Sequence, residues 1–323
     1  AGRLDRNAVP LAALSGRLRW DGARVVVDRL DAVLDGRGRV RGAAAYDPAG
    51  SVEMFGRTLP RLDLDLTIDA LDLAQLDARL PASRMTGTAR LDGRAVDVAL
   101  ADAARDGARI EARARVEDGR LLIERARLGA WPGIVDGAVD VAGAIALQAP
   151  HAARLEVGFT RVDPHGLLRL PAALGLSASG AGGPDAAAPA LRGMLDGTLQ
   201  LDGPLRFGPD DGPVAAALTL VRGRLAGQAV SGRLRARVSP ARASDVEASL
   251  LVADARLEAD GALGAPGDRL RFSLRAPTVA PLVALSGRAG ADGVKGALRA
   301  DGTLSGRLDA PALQVQADLE RLD

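Results

Sequence analysis

Leu62-Asp63-Leu64-Asp65-Leu66-Thr67-Ile68-Asp69 alternates aliphatic and polar residues without a break. Successive side chains on a β-strand point to opposite faces, so the four aliphatic residues line one face and the four polar ones the other. The strand has a dry side and a wet side. The same period returns at residues 109–117, 155–159, 234–238, 270–274 and 313–319, so it is the dominant signal of the chain.

Between these runs stand Asp-Gly pairs, at Asp21-Gly22, Asp35-Gly36, Asp92-Gly93, Asp106-Gly107, Asp118-Gly119, Asp136-Gly137, Asp202-Gly203, Asp260-Gly261, Asp292-Gly293 and Asp301-Gly302. Such pairs accept the positive φ angles of type I′ turns and therefore predict hairpins between antiparallel strands. Strands of five to eight residues joined this way number on the order of twenty, more than an open twisted sheet carries before it curls or splits. The expected fold is all-β, a long, curled antiparallel sheet with an apolar interior. Helical periodicity is confined to 71–80, 167–174 and 279–285, each short and marked by a proline, Pro81, Pro171 or Pro281. These predict short crossing helices or turns.

Each helical segment precedes a glycine-containing strand opening, at 85–91, 191–195 and 294–298, which makes a degenerate repeat of roughly a hundred residues. The organisation read from this is a partial repeat over 1–54, a repeat over 55–154, and further repeats over 155–323. A Gly/Ala/Pro-rich insertion is expected at about 177–190.

Composition narrows the function classes. The chain has 323 residues, 47% of them apolar, but aromatics make up only 2%, so its buried surface is smooth and aliphatic. Forty-two basic residues balance 41 acidic ones, and Arg and Asp interleave throughout, which leaves no electrostatic footprint for a nucleic-acid backbone. With no cysteine there is neither a disulfide framework nor a thiolate metal site. His151 and His165 are read as surface-loop residues, each without a second metal-ligating partner nearby in sequence. Gly36-Arg37-Gly38-Arg39 opens no dinucleotide fingerprint and is read as a hairpin turn. No nucleophile elbow, phosphate loop or zinc-binding His pair occurs, so the expectation is a protein that is not an enzyme and needs no cofactor. Asp63, Asp65 and Asp69 are read as a solvated face paired with arginines of neighbouring strands, since same-face neighbours stand nearly 7 Å apart.

The dry face is the informative surface. Its candidate residues are Leu62, Leu64, Leu66, Ile68, Val96, Val98, Leu100, Ile110, Val116, Leu155, Val157, Phe159, Leu218, Leu220, Val246, Leu250, Leu270, Phe272 and Leu274. Two readings stay open on periodicity alone, a two-sheet sandwich whose halves fill each other and a hollow trough. Frequent alanine at inner positions and few aromatics lean toward the trough. Such a trough would take acyl chains by burial, at about 0.8 kcal/mol per methylene, with no placed polar group along its length.

Leu71-Asp72-Leu73-Ala74-Gln75-Leu76 through Leu80-Pro81, followed by Gly87-Thr88-Ala89-Arg90-Leu91-Asp92-Gly93, resembles the recurring phrase of the TamB/AsmA-like family. The close, Gly302-Thr303-Leu304-Ser305-Gly306-Arg307-Leu308-Asp309-Ala310-Pro311-Ala312-Leu313, resembles a strand pair of the same family, and 225–232 and 263–264 fit its rhythm. The likeness runs from about residue 55 to the end through short, simple phrases. The resemblance implies a taco-like repeating β-groove in the periplasm, part of a protein anchored in the inner membrane, which carries phospholipid toward the outer membrane. It also implies an outer-membrane TamA-like partner, engaged through regions expected outside this stretch, which reads as a middle piece of the rod. The competing expectation is a scaffold that assists outer-membrane protein assembly or secretion by strand pairing, or a passenger-like β-solenoid.

Overall fold

The computed structural model describes residues 11–34, 38–54, 57–76, 82–131, 135–164, 193–204, 212–285, 296–308 and 310–320. The expected helix at 167–174, the insertion at 177–190, His165, and the pairs Asp35-Gly36 and Asp292-Gly293 lie outside these residues. The chain forms two compact units, one up to Ala149 and one from Pro150 onward.

The first unit contains β1 (Leu11–Trp20), β2 (Val25–Leu34), β3 (Arg39–Met54), β4 (Arg57–Leu71), α1 (Leu73–Leu76), β5 (Met85–Asp92), β6 (Ala95–Asp102), β7 (Arg109–Glu117), β8 (Arg120–Gly129) and β9 (Val135–Ala146). The second contains β10 (Ala152–Val162), β11 (Gly193–Pro204), β12 (Val214–Leu225), β13 (Gln228–Val238), β14 (Ala243–Val252), β15 (Ala255–Leu263), β16 (Arg269–Ala276), α2 (Ala280–Leu285), β17 (Ala297–Arg307) and β18 (Ala310–Glu320). Within each unit every strand pairs antiparallel with the next in sequence. Each unit is thus an open, curled meander and not a pair of filled sheets. Uniform antiparallel pairing also sets aside the solenoid, whose stacked rungs pair in parallel.

The curl has local causes. Register shifts interrupt many ladders, and at four of them a non-glycine residue adopts a left-handed conformation, Arg29, Ala70, Arg161 and Asp245. Bulges of this kind bend a strand and sharpen its twist. Close backbone approach adds to the bend, since a Cβ on Gly87, at φ +153°, would fall on the carbonyl oxygen of Ala99 in the next strand.

The Asp-Gly reading of hairpins holds in part. Asp21-Gly22, Asp92-Gly93, Asp106-Gly107 and Asp118-Gly119 sit in turns between consecutive strands. In the first, the Asp21 carboxylate accepts the N–H groups of Ala23 and Arg24 at 3.2 and 2.7 Å. Those bonds hold its carboxyl below the usual range. Asp136-Gly137, Asp202-Gly203, Asp260-Gly261 and Asp301-Gly302 instead lie inside β9, β11, β15 and β17. Gly302 provides room for a ring, because a Cβ there would strike the Phe272 side chain of the paired strand. Gly197 does the same beneath Phe159, whose Cζ lies 2.8 Å from where a Cβ would be. Of the helical segment expected at 71–80, Leu73–Leu76 form a helical turn and 77–80 lie outside the described residues, while the segment expected at 279–285 is a helix of six residues.

A candidate apolar groove on the dry face

The antiparallel registers align dry-face residues into rows that run across the strands. In the first unit one row passes through Ala32, Val40, Ile68, Gly87, Leu100, Ile110, Leu128 and Val139. A second joins Val27, Ala44, Leu64, Leu91, Val96, Ala114 and Ile123, and a third joins Gly42, Leu66, Ala89, Val98, Ala112, Ala126 and Val141. Leu62 meets Tyr46, and Val116 meets Leu121. In the second unit Val157, Leu199, Leu218, Leu234, Ala248, Ala259, Phe272 and Gly302 form one row. Phe159, Gly197, Leu220, Gly232, Leu250, Leu257, Leu274 and Ala300 form another, while Leu155 pairs with Leu201 and Val246 aligns through Gly261 with Leu270. The nineteen residues named from sequence therefore fall into two sets, one on the dry face of each unit.

Exposure decides what these rows are. Ile68 and Val246 are buried at 7% and 9%, and Leu62 is exposed at 36%. The other candidates, from Leu64 through Leu274, are half-buried. In a filled sandwich the inward side chains are shielded by the facing sheet as well as by their neighbours. Here most of the candidates are only half-buried, short of that shielding.

Several lining residues escaped sequence reading. Ile123 and Leu128 belong to β8, where the register shifts between Arg113 and Ala114 of β7 and breaks the alternation of residues 120–129. Leu199 and Leu201 sit in β11, where Gly197 takes the place of an aliphatic residue. Their signal is alternation with a glycine in the dry position.

The wet face is an ion-pair lattice. Asp63 receives Arg24 at 2.8 Å and Arg61 at 3.0 Å, Asp65 receives Arg90 at 3.2 Å, and Asp69 stands opposite Arg39. The reading of these carboxylates as paired with arginines of neighbouring strands holds for Asp65, whereas Asp63 is met by Arg61 of its own strand and by Arg24 of the β1–β2 turn. Arg39 grips Asp31 through two nitrogens, and this hydrogen bonding holds the Asp31 carboxyl below its ordinary range. Arg242 does the same to Asp268, with both bonds at 2.9 Å. Among the described residues no cluster of three His, Asp or Glu side chains is placed to hold a metal ion. His151 departs from the surface reading, since it is buried at 4% exposure with φ +55°. No described helix is long and apolar enough to cross a membrane.

No family model, curated protein or solved structure matches this chain.

Proposed function

We propose that the chain carries phospholipid between inner and outer membranes along its apolar dry face. It would do so as part of a TamB-like, periplasmic, inner-membrane-anchored protein that supports outer-membrane biogenesis without enzymatic chemistry. The observation that carries the reading is that aliphatic rows cross each unit unbroken by charge while their side chains stay half-buried. Acyl chains laid along such rows would lose water contact at about 0.8 kcal/mol per methylene, and head groups would remain in solvent. Transfer of labelled phospholipid between donor and acceptor vesicles tests it. Leu66→Arg and Leu250→Arg each place a charge in the middle of a row and are expected to lower the transfer rate at least tenfold. Full transfer by both folded variants overturns the reading.

A second reading, a scaffold for outer-membrane protein assembly, is supported by β1 and β18, which are exposed at every position. Strands with free polar edges are templates for added strands. Native mass spectrometry of protein purified from an envelope fraction separates the two. Co-purifying phospholipid that disappears in Leu66→Arg favours the conduit, and a lipid-free mass with bound peptide favours the scaffold.

A further inference from the structure

On the wet face of the second unit, a depression of about 670 Å³ lies where register shifts in three consecutive strands converge, at Phe159/Val162, Asp196/Gly197 and Leu220/Arg224. Three arginines line it, Arg161, Arg222 and Arg224, against one acid, Asp196. Arg161 is held there by the bulge itself. Its φ is +51°, and its backbone N–H donates to Asp196 Oδ1 at 2.6 Å. Asp196 also meets Arg222, but only at 3.9 Å, and the Arg222 side chain is 85% exposed. The guanidinium groups of Arg161 and Arg224 have no acidic partner among the described residues. Elsewhere in this unit Arg154, Arg237, Arg242 and Arg256 each lie within 3.4 Å of a carboxylate, whereas Arg233, Arg235, Arg269, Arg271, Arg275 and Arg299 form no ion pair among the described residues; what marks the depression is that three arginines gather around one acid, a local cationic excess.

The same depression carries apolar side chains on the wrong face. Val221 is 62% exposed and Leu251 45% exposed, and among the described residues of β10 to β17 they are the two exposed large apolar side chains. Strand parity places Leu251 beside Ser231 and opposite Arg256, among polar neighbours. Beyond it the basic row continues through Arg275 to Arg299.

We propose that this patch docks on an anionic phospholipid surface, its arginines taking the phosphodiester head groups and Val221 and Leu251 entering the interface. Charge complementarity selects the occupant, since each arginine near such a surface is favourable and falls off with salt screening. The two protruding aliphatic residues suit the boundary between head group and acyl chain, which a purely ionic site would not need. This site faces away from the apolar rows, so it stands or falls independently of the transport reading.

Co-sedimentation of the full chain with vesicles tests it. Vesicles of phosphatidylcholine with about 30% phosphatidylglycerol are expected to bind the chain, and pure phosphatidylcholine vesicles to bind it at least tenfold more weakly. Arg222→Glu with Arg224→Glu is expected to reduce binding at least tenfold. Arg233→Glu with Arg235→Glu, the same charge change elsewhere on the face, is expected to leave binding within about twofold. Leu251→Trp is expected to add a blue-shifted fluorescence, over that of the parent chain, on the anionic vesicles alone. Equal loss in both double variants reduces the effect to net charge and overturns the proposal, as does an unshifted emission from the Leu251→Trp variant. Competition by poly-glutamate at stoichiometric amounts would assign the patch to an acidic protein instead.

Discussion

Gly87 shows how a single residue bends the sheet. Its φ of +153° and the Ala99 carbonyl beneath it leave no place for a side chain. Gly87→Ala is therefore expected to cost at least about 2 kcal/mol in urea denaturation, through strain and displaced backbone. Gly158→Ala, whose Cβ would meet nothing within 4 Å, is expected to change stability by less than about 0.5 kcal/mol. At this scale the sequence was only half legible. An Asp-Gly pair announces a backbone that tolerates positive φ, and that tolerance serves a hairpin at Asp118-Gly119 and a strand interior at Asp260-Gly261 alike. The difference lies in the neighbouring strand, which the local sequence does not contain.

Turns and loops carry the next predictions. The β12 to β13 hairpin closes through Ala226 and Gly227 with φ of +48° and +80°, a geometry that strains an alanine. Ala226→Asn is expected to stabilise the second unit by about 0.5 to 1 kcal/mol, seen as a rise in Tm. The loop between β15 and β16 is tied by Asp268 to Arg242, which follows β13. Because the folded-state carboxyl sits below its ordinary value, the unfolded chain binds the proton first. The contribution is present above about pH 4 and is lost as pH falls through the lowered folded value. Urea midpoints measured from pH 6 down to pH 2 are expected to fall more steeply in the parent than in Asp268→Asn. Elements themselves were readable wherever alternation survived, as in β4 and β7. They were hidden where a bulge inserts one residue, as in β8, since one extra residue inverts every later side chain.

For the whole molecule, the balance of wet and dry faces predicts a gradient of protection. Hydrogen exchange is expected to be fastest in β1 and β18, exposed along their length, and slowest in β4 to β7 and β12 to β15, which are flanked on both sides. Slow exchange across β1 and β18 in the purified chain would contradict that gradient. The all-β class and the side on which the candidate residues lie were legible from end to end, because one period of two recurs in nearly every strand. The repeat boundary read between 154 and 155 and the division between Ala149 and Pro150 differ by five residues, because the shared period of two gives no local mark at which one unit ends.

The rings of Phe159 and Phe272 over Gly197 and Gly302 have a consequence for how so repetitive a chain finds its pairing. A slip of one residue turns the dry face outward and is rejected by water. A slip of two keeps every aliphatic residue on its proper side, and alternation alone does not oppose it. It would, however, set Phe159 against Leu195 or Leu199, and Phe272 against Ala300 or Leu304, where no hollow awaits the ring. Each aromatic thus works as a key cut for one notch, so a chain with four phenylalanines uses two of them to tell apart alignments that its aliphatic residues leave degenerate.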